Sequence, residues 1–514
     1  MSASSKKKLR KEQTAATMTQ KQQAAAKEAK KLKIYTVTFW VILALCVSLV
    51  AGVALKSPIT GVAARMTTAL VVGDHKVSAV ELNYFYIDAI QDMVQQYGNY
   101  ISLTGLKTNA PLSEQVYDKE SGASWADTFL DQAIDSAKNT YALYDAAVKA
   151  GHTLSEEEKK SMDTLYSNMD VYAEYYGYSN ANQYLASVYG DGANTKTYKA
   201  YYEVVVTATS YYAAYTENLK ESYDSSALRD FEGSEGYKYN SYSYVSFFLD
   251  AASHSEDMVE LLAEKLASPK HNTYERLYSA CNELLGSSPT QYDNRLYSVI
   301  PSPLQSWLSS PDRRNGDITA IRSENSSGKL QGYYVVLYQG VRDNQFPLAN
   351  VRHILIAFEG GTTNIATGET IYTDEEKCNA KEEALKIYQQ WLEGPKTEDN
   401  FAQLALQHTD DSNGDQGGLY EDIFPGQMVD SFNHWCFDGR KPGDHGLIQT
   451  EYGWHVVYYC DDSEITYRDY MVSRDKLTAD MDAWYEALIS SVSCEVLNTG
   501  FVNKEYVIEP SQIK

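Results

Sequence analysis

Two short runs of β-branched and apolar residues constrain this chain more than any other feature. They are Val351-Arg352-His353-Ile354-Leu355-Ile356 and Thr450-Glu451-Tyr452-Gly453-Trp454-His455-Val456-Val457. Both read as strands, and each carries one histidine able to face inward. Between them lie helical patterns from Asp374 to Leu392 and from Glu398 to Gln407, a Gly417-Gly418 turn, and the run Gly426 to Phe432. Taken alone, a histidine in a strand is more often a satisfied core residue than a catalytic one. The pair, with the pattern between, makes the stretch specific.

The informative pieces are Arg352-His353-Ile354-Leu355, Phe401-Ala402-Gln403-Leu404-Ala405, Thr409-Asp410-Asp411-Ser412, Gly417-Gly418-Leu419, Gly426-Gln427-Met428 with Phe432, and Gly453-Trp454-His455. In this order and spacing, the segment from Val351 to Cys460 resembles a parvulin-type peptidyl-prolyl cis-trans isomerase. The rest of the chain resembles, more loosely, the chaperone parts of membrane-attached and periplasmic foldases of the PrsA and SurA type. The resemblance implies an enzyme that needs no cofactor and no metal. It implies that His353, Asp411 and His455 are catalytic, with the histidines as a coupled pair. It implies a proline pocket of Met428 and Phe432, with Leu419, Gln427 and Tyr452 also meeting substrate. A carboxylate at Asp411, where the family carries Cys or Asp, points to a non-covalent mechanism. The turn departs from the family's Gly-Asp-Leu-Gly, since Tyr420-Glu421-Asp422 follows Leu419. Read from spacing alone, Met428 and Phe432 share a helical face and suit either a pocket wall or plain core packing. The loop from Phe358 to Thr370 holds no Lys or Arg. Phosphoserine-proline recognition needs charge-assisted donors there, so none is expected.

Charge divides the chain. Met1 to Lys33 has ten Lys or Arg against Glu12 and Glu28, a net +8, while the whole chain carries −24, which leaves −32 on the remainder. A body that acidic argues against nucleic acid as a partner. Ile34 to Leu55 contains no charged residue and is long enough to cross a bilayer as a helix. Lysines precede it, so the N-terminus is expected in the cytoplasm and the body outside. A signal peptide cleaved near Val62-Ala63-Ala64 is the alternative. The long basic region and long apolar run favour an anchor. Six cysteines, Cys46, Cys281, Cys378, Cys436, Cys460 and Cys494, form no CxxC or metal spacing and read as isolated thiols. Tyrosine is abundant, 43 residues against 13 Phe. Such residues suit either partly exposed grooves that hold other chains or the wet surfaces of helices.

The expected fold class is α+β. A basic cytoplasmic tail (1–33) and a single transmembrane helix (34–55) precede a helical, SurA-like chaperone domain (66–230). Two parvulin-like units follow, each a small antiparallel sheet wrapped by helices. The first (237–343) is degenerate: Ser246 or Val245 and the run Gly332-Tyr333-Tyr334-Val335 stand where histidines would be. An unrelated α+β insert is the alternative there. The second (350–461) is the active one. A C-terminal helix and tail (465–514) are expected to pack on the helical domain. The function implied is an extracytoplasmic prolyl isomerase and foldase, held in the cell membrane, acting on unfolded or newly translocated polypeptides. The alternative is a holdase chaperone with a vestigial isomerase unit.

Overall fold

The structure is a computed structural model that describes residues 58–252, 255–364 and 368–508. The basic tail and the apolar run at 34–55 lie outside the described residues. Among those described, no helix is long and apolar enough to cross a membrane. The fold mixes helices with small antiparallel sheets. It divides into two compact units, Met1–Ser222 with Leu477–Lys514, and Tyr223–Lys476.

The first unit is mainly helical. Its helices start where side chains satisfy the free N–H groups of the first turn. Ser78 caps Ala79–Tyr97. Ser124 with Asp127, and Ser155 with Glu158, form reciprocal capping boxes for Trp125–Lys149 and Glu156–Tyr175. Asn194 caps Thr195–Glu221. Many of the abundant tyrosines fill this core, although Tyr100, Tyr117 and Tyr175 are exposed. Tyr84, Tyr86, Tyr184, Tyr189, Tyr198 and Tyr202 are fully buried. The Tyr84 ring lies 4.8 Å from Tyr189 and 4.9 Å from Tyr201, and its hydroxyl meets Thr197 at 2.7 Å. A buried tyrosine hydroxyl usually finds a partner, as that of Tyr84 does, so these rings bring polar atoms into the core. The C-terminal segment closes the unit. Cys494–Val496 pairs with Thr68–Val72 in a three-stranded sheet, and Val502 and Ile508 are buried among the helices. The C-terminal part of this unit begins at Leu477, inside the helix Tyr467–Ser490.

The second unit holds two four-stranded antiparallel sheets built alike. In one, the spatial order is Thr290–Leu296, Ser241–Asp250, Leu330–Arg342, Ile318–Glu324. In the other it is Leu419–Ile423, Pro347–Ala357, Gly453–Thr466, His445–Gln449. Numbered along the chain, both read second, first, fourth, third. Both carry two helices after the first strand and a short helix after the second. The registers coincide as well. Gly332 faces Asp250 at the end of one first strand, and Gly453 faces Ala357 at the end of the other. The connector between the sheets is built rather than loose. Asn344 is buried and donates from Nδ2 to the Tyr239 carbonyl and Ser241 Oγ. Arg468 reaches the carbonyls of Asp343 and Gly236 and pairs with Glu232.

The shared glycine admits backbone that no side chain could clear. A Cβ at Gly453 would sit 2.2 Å from the Ile356 carbonyl oxygen, and one at Gly332 would sit 2.1 Å from that of Leu249. A backbone acceptor inside a sheet has nowhere to go. Gly453→Ala and Gly332→Ala are each expected to cost about 2–3 kcal/mol. Gly340→Ala, with open space around its Cβ, should stay within about 0.5 kcal/mol of the parent. Denaturant unfolding followed by circular dichroism checks all three.

Candidate active site

The faces of the second sheet follow from the two-residue period of a strand. Ile354, Val456, Trp391, Phe401 and Leu404 form one core, where the helices Asp374–Glu393 and Glu398–His408 cover the back. Ala349, Val351, Val457 and Tyr459 form the other face, under the helix Asp430–Phe437 with its Phe432. His353 and His455 lie on that second face.

The histidines are diagonal neighbours rather than directly opposed. His353 pairs with Val457 and His455 with Leu355. Their rings stack at 5.2 Å and 22°, with the two Nδ1 atoms 3.0 Å apart. Phe432 stands edge-on to both, 5.4 Å from His353 and 5.5 Å from His455. The chain of contacts continues at each end. His455 Nε2 meets Thr450 Oγ1 at 2.8 Å. His353 Nε2 lies 3.1 Å from Asp411 Oδ2, close enough to pair though not well aligned as a hydrogen bond. Tyr420 completes the group: its ring is 5.2 Å from His353 and its hydroxyl is 3.3 Å from Asp411 Oδ2.

Local chemistry places each member. Asp411 sits on a loop laced to the Pro347–Ala357 strand. Thr409 Oγ1 accepts from the Leu355 N–H at 3.0 Å, and Asp410 donates its N–H to the Leu355 carbonyl at 2.9 Å. Gly418, at φ +69°, lets the turn approach so closely that a Cβ would lie 2.1 Å from the His353 carbonyl oxygen. Arg352, buried on the back face, ties Glu398 to the Gln416 and Gly417 carbonyls. Thr450 opens the hairpin that brings His455 back, and it also accepts from the Tyr452 N–H.

Charge is settled by these contacts. The His353 imidazole, 3.1 Å away, holds the Asp411 carboxyl well below the usual carboxylate range, against its partial burial. Burial, helped by the His353 charge, pushes His455 down to about 3, with Asp411 opposing. Burial and then Asp411 push Tyr420 up to about 12. An ionised Asp411 requires the proton of His353 on Nε2. With His353 neutral, its Nδ1 accepts from His455 Nδ1–H, and His455 Nε2 accepts from the Thr450 hydroxyl.

The expected substrate contacts fare differently. Phe432 and Met428 lie together at the His face, with Phe432 buried and Met428 partly so. They do not share a helical face, because the helix begins only at Asp430 and Met428 lies in the preceding turn. Leu419 pairs with Arg352 and so points to the back face; Tyr420, one residue on, pairs with Val351 and takes the pocket side. Gln427 is exposed and its Oε1 accepts from the Phe424 N–H, closing its own turn. Tyr452 is 59% exposed at the rim. Tyr420 and Thr450 are site residues that sequence reasoning passed over. The signal for Tyr420 was the shifted turn itself.

Residues 333–463 match the family model described as a PPIC-type PPIASE domain. The chain contains a peptidyl-prolyl cis-trans isomerase domain. The PPIase match begins at Tyr333, within the last strand of the preceding sheet, and ends beyond His455. No curated protein matches. Among solved structures, a PpiC-type peptidyl-prolyl cis-trans isomerase domain is 21% identical and aligns over 23% of this chain and 94% of its own, with a TM-score of 0.19. PrsA from Bacillus cereus is 12% identical over 74% of this chain and 91% of its own, TM-score 0.18. PrsA from Bacillus anthracis is 17% identical over 29% of this chain and 59% of its own, TM-score 0.18.

The low value at His455 sets a pH dependence for the PPIase domain. Unfolded, this imidazole takes a proton near 6.5; folded, it does so only near 3. Between those values the unfolded chain binds more protons, so stability falls as pH falls, by up to about 1.4 kcal/mol per pH unit. The contribution is fully present above 6.5. His455→Gln removes the titration and should flatten the fall in Tm between about pH 6.5 and 4. Identical slopes in variant and parent would mean that His455 is not held neutral.

Proposed function

We propose that this chain is an extracytoplasmic prolyl isomerase and foldase that speeds rotation about Xaa-Pro bonds in unfolded, newly translocated polypeptides. The observation that carries the reading is the line from the partly buried Asp411 through His353 and His455 to Thr450, beneath Phe432, inside a segment that matches the PPIC-type family.

The chemistry needs no nucleophile. Rotation is slow because twisting the amide loses resonance, at a barrier of about 18–20 kcal/mol. Catalysis comes from any interaction that prefers the twisted form. The proline ring rests against Phe432 and Met428, and Tyr452 closes the rim. The planar amide carries negative charge on its oxygen, and twisting withdraws it. A carboxylate kept ionised beside that oxygen opposes the planar form more than the twisted one. Asp411 supplies that charge, Tyr420 and His353 hold it in place, and the neutral His455 with Thr450 supports His353 from behind.

The preceding sheet is a second copy without this machinery. Transferring the register through Gly332 and Gly453 sets Ser246 where His353 stands and Tyr334 where His455 stands. That copy and the helical unit are assigned to holding clients. The run at 34–55 is assigned as the membrane anchor, with the N-terminus in the cytoplasm. Protease added to intact spheroplasts should digest the body and spare the basic tail; a protected body would overturn this topology.

Asp411→Ala should lower kcat/KM on a Xaa-Pro peptide by about tenfold or more, roughly 1.4 kcal/mol of transition-state stabilisation, with unchanged far-UV circular dichroism. The same variant, as the full chain, should still suppress aggregation of an unfolded client. Full isomerase activity in Asp411→Ala would remove the carboxylate from the mechanism. Loss of both activities together would show that one site serves both.

A further inference from the structure

Within the helical unit, the helices Ala79–Tyr97, Trp125–Lys149 and Thr195–Glu221 enclose an open cavity of about 600 Å³. That is the size range of built ligand sites. Asp88 and Asp92, one turn apart on the first helix, both line it, and no Lys, Arg or His does. Asp88 accepts from the Tyr201 hydroxyl at 2.6 Å and from Tyr189 at 3.5 Å. Those are neutral donors. Burial, reinforced by Asp92, pushes the Asp88 carboxyl up to about 7. A negative charge there is held at a cost that a cation would relieve.

A second observation is independent of the acids. Gln91 is only 7% exposed, lines the same cavity, and makes no side-chain hydrogen bond among the described residues. An amide that faces the cavity offers a donor and an acceptor to whatever enters it. A peptide group supplies both. Phe85, Met93 and Val205 give the cavity its apolar walls, which suit the aliphatic stem of a long basic side chain.

We propose that this cavity receives an arginine or lysine side chain of an extended polypeptide, with Asp88 and Asp92 taking the charge, Gln91 the neighbouring peptide group, and Phe85, Met93 and Val205 the stem. This deepens the client-binding part of the function proposed above and rests on it. The cell's unfolded clients would then be sorted by the basic residues they display, independently of where their prolines fall.

The test uses the full chain and two fluorescein-labelled, proline-free peptides of alternating leucine and serine. One has a central arginine and the other its uncharged isostere, citrulline. Fluorescence anisotropy should give tighter binding of the arginine peptide by about fivefold or more at low salt, narrowing as salt rises. The double variant Asp88→Asn with Asp92→Asn should bind both peptides alike. Asp92→Asn alone is the second variant: this carboxylate lies exposed on the helix, so its loss leaves the fold intact, and it should lower the ratio by about half or more. Equal binding of the two peptides by the parent would overturn the inference while leaving client binding in place. An arginine preference that survives in the double variant would move the site elsewhere. Binding of neither peptide would bring down the client-binding reading together with the inference.

Discussion

The pairing of Pro347–Ala357 with Gly453–Thr466 governs the isomerase domain, because one residue of slippage would exchange the two faces of the sheet. In the observed register, Val457 meets His353 and Leu355 meets His455. Both imidazoles then fall on the face covered by Phe432, and Ile354 and Val456 fall on the face covered by Trp391 and Phe401. Gly453 pins that register, since only a residue without Cβ can stand against the Ile356 carbonyl. The site chemistry follows from this geometry. Two stacked imidazoles at 3.0 Å between ring nitrogens can share one proton but repel a second. One ring therefore stays neutral, and the other can serve an ionised Asp411.

The preceding sheet shows what the scaffold does without that pair. It keeps the strand order, the helices and the register glycine. On the corresponding face it packs Tyr242, Tyr244, Leu304, Leu308 and Tyr338, with Tyr334 partly buried against them. Apolar and aromatic contact stands where the isomerase sheet has its hydrogen-bonded line. A folded sheet of this type thus requires the glycine and the alternation, but not the histidines.

This division explains what could be read from the residues. His353, Asp411 and His455 were legible because motif pieces fixed their order, and the structure brings all three within one contact chain. The pocket helix was not. Gly426 and Gln427 form a turn, and the helix starts after Met428, so an apparent four-residue helical spacing spans a turn and a helix. Leu419 was placed at the pocket by resemblance, across a turn whose spacing is shifted; the pairings of Leu419 with Arg352 and of Tyr420 with Val351 show which face each takes. The strand Thr290–Leu296 gave no signal at all. It is an edge strand with nearly every residue exposed, so neither alternation nor hydrophobicity marks it. The tyrosines misled in the other direction, since a residue with a wet tip was found buried in numbers within the helical unit. Composition cannot reveal that Thr197 and Asp88 meet the tips.

Two aspartates now carry opposite fates for one reason. Asp411 has an imidazole within reach, and that partner holds it ionised although it is partly buried. Among the described residues Asp88 meets only tyrosine hydroxyls, and burial raises it to about 7. A hydroxyl can donate one hydrogen bond to a carboxylate but brings no charge to balance it. In the first case the protein has completed its own electrostatics, so the charge is available to act on a neutral amide. In the second it has left them incomplete, and the remaining demand is for a cation from outside. The same side chain is therefore held ionised where a cationic partner lies within reach, and pushed toward the neutral form where only hydroxyls meet it.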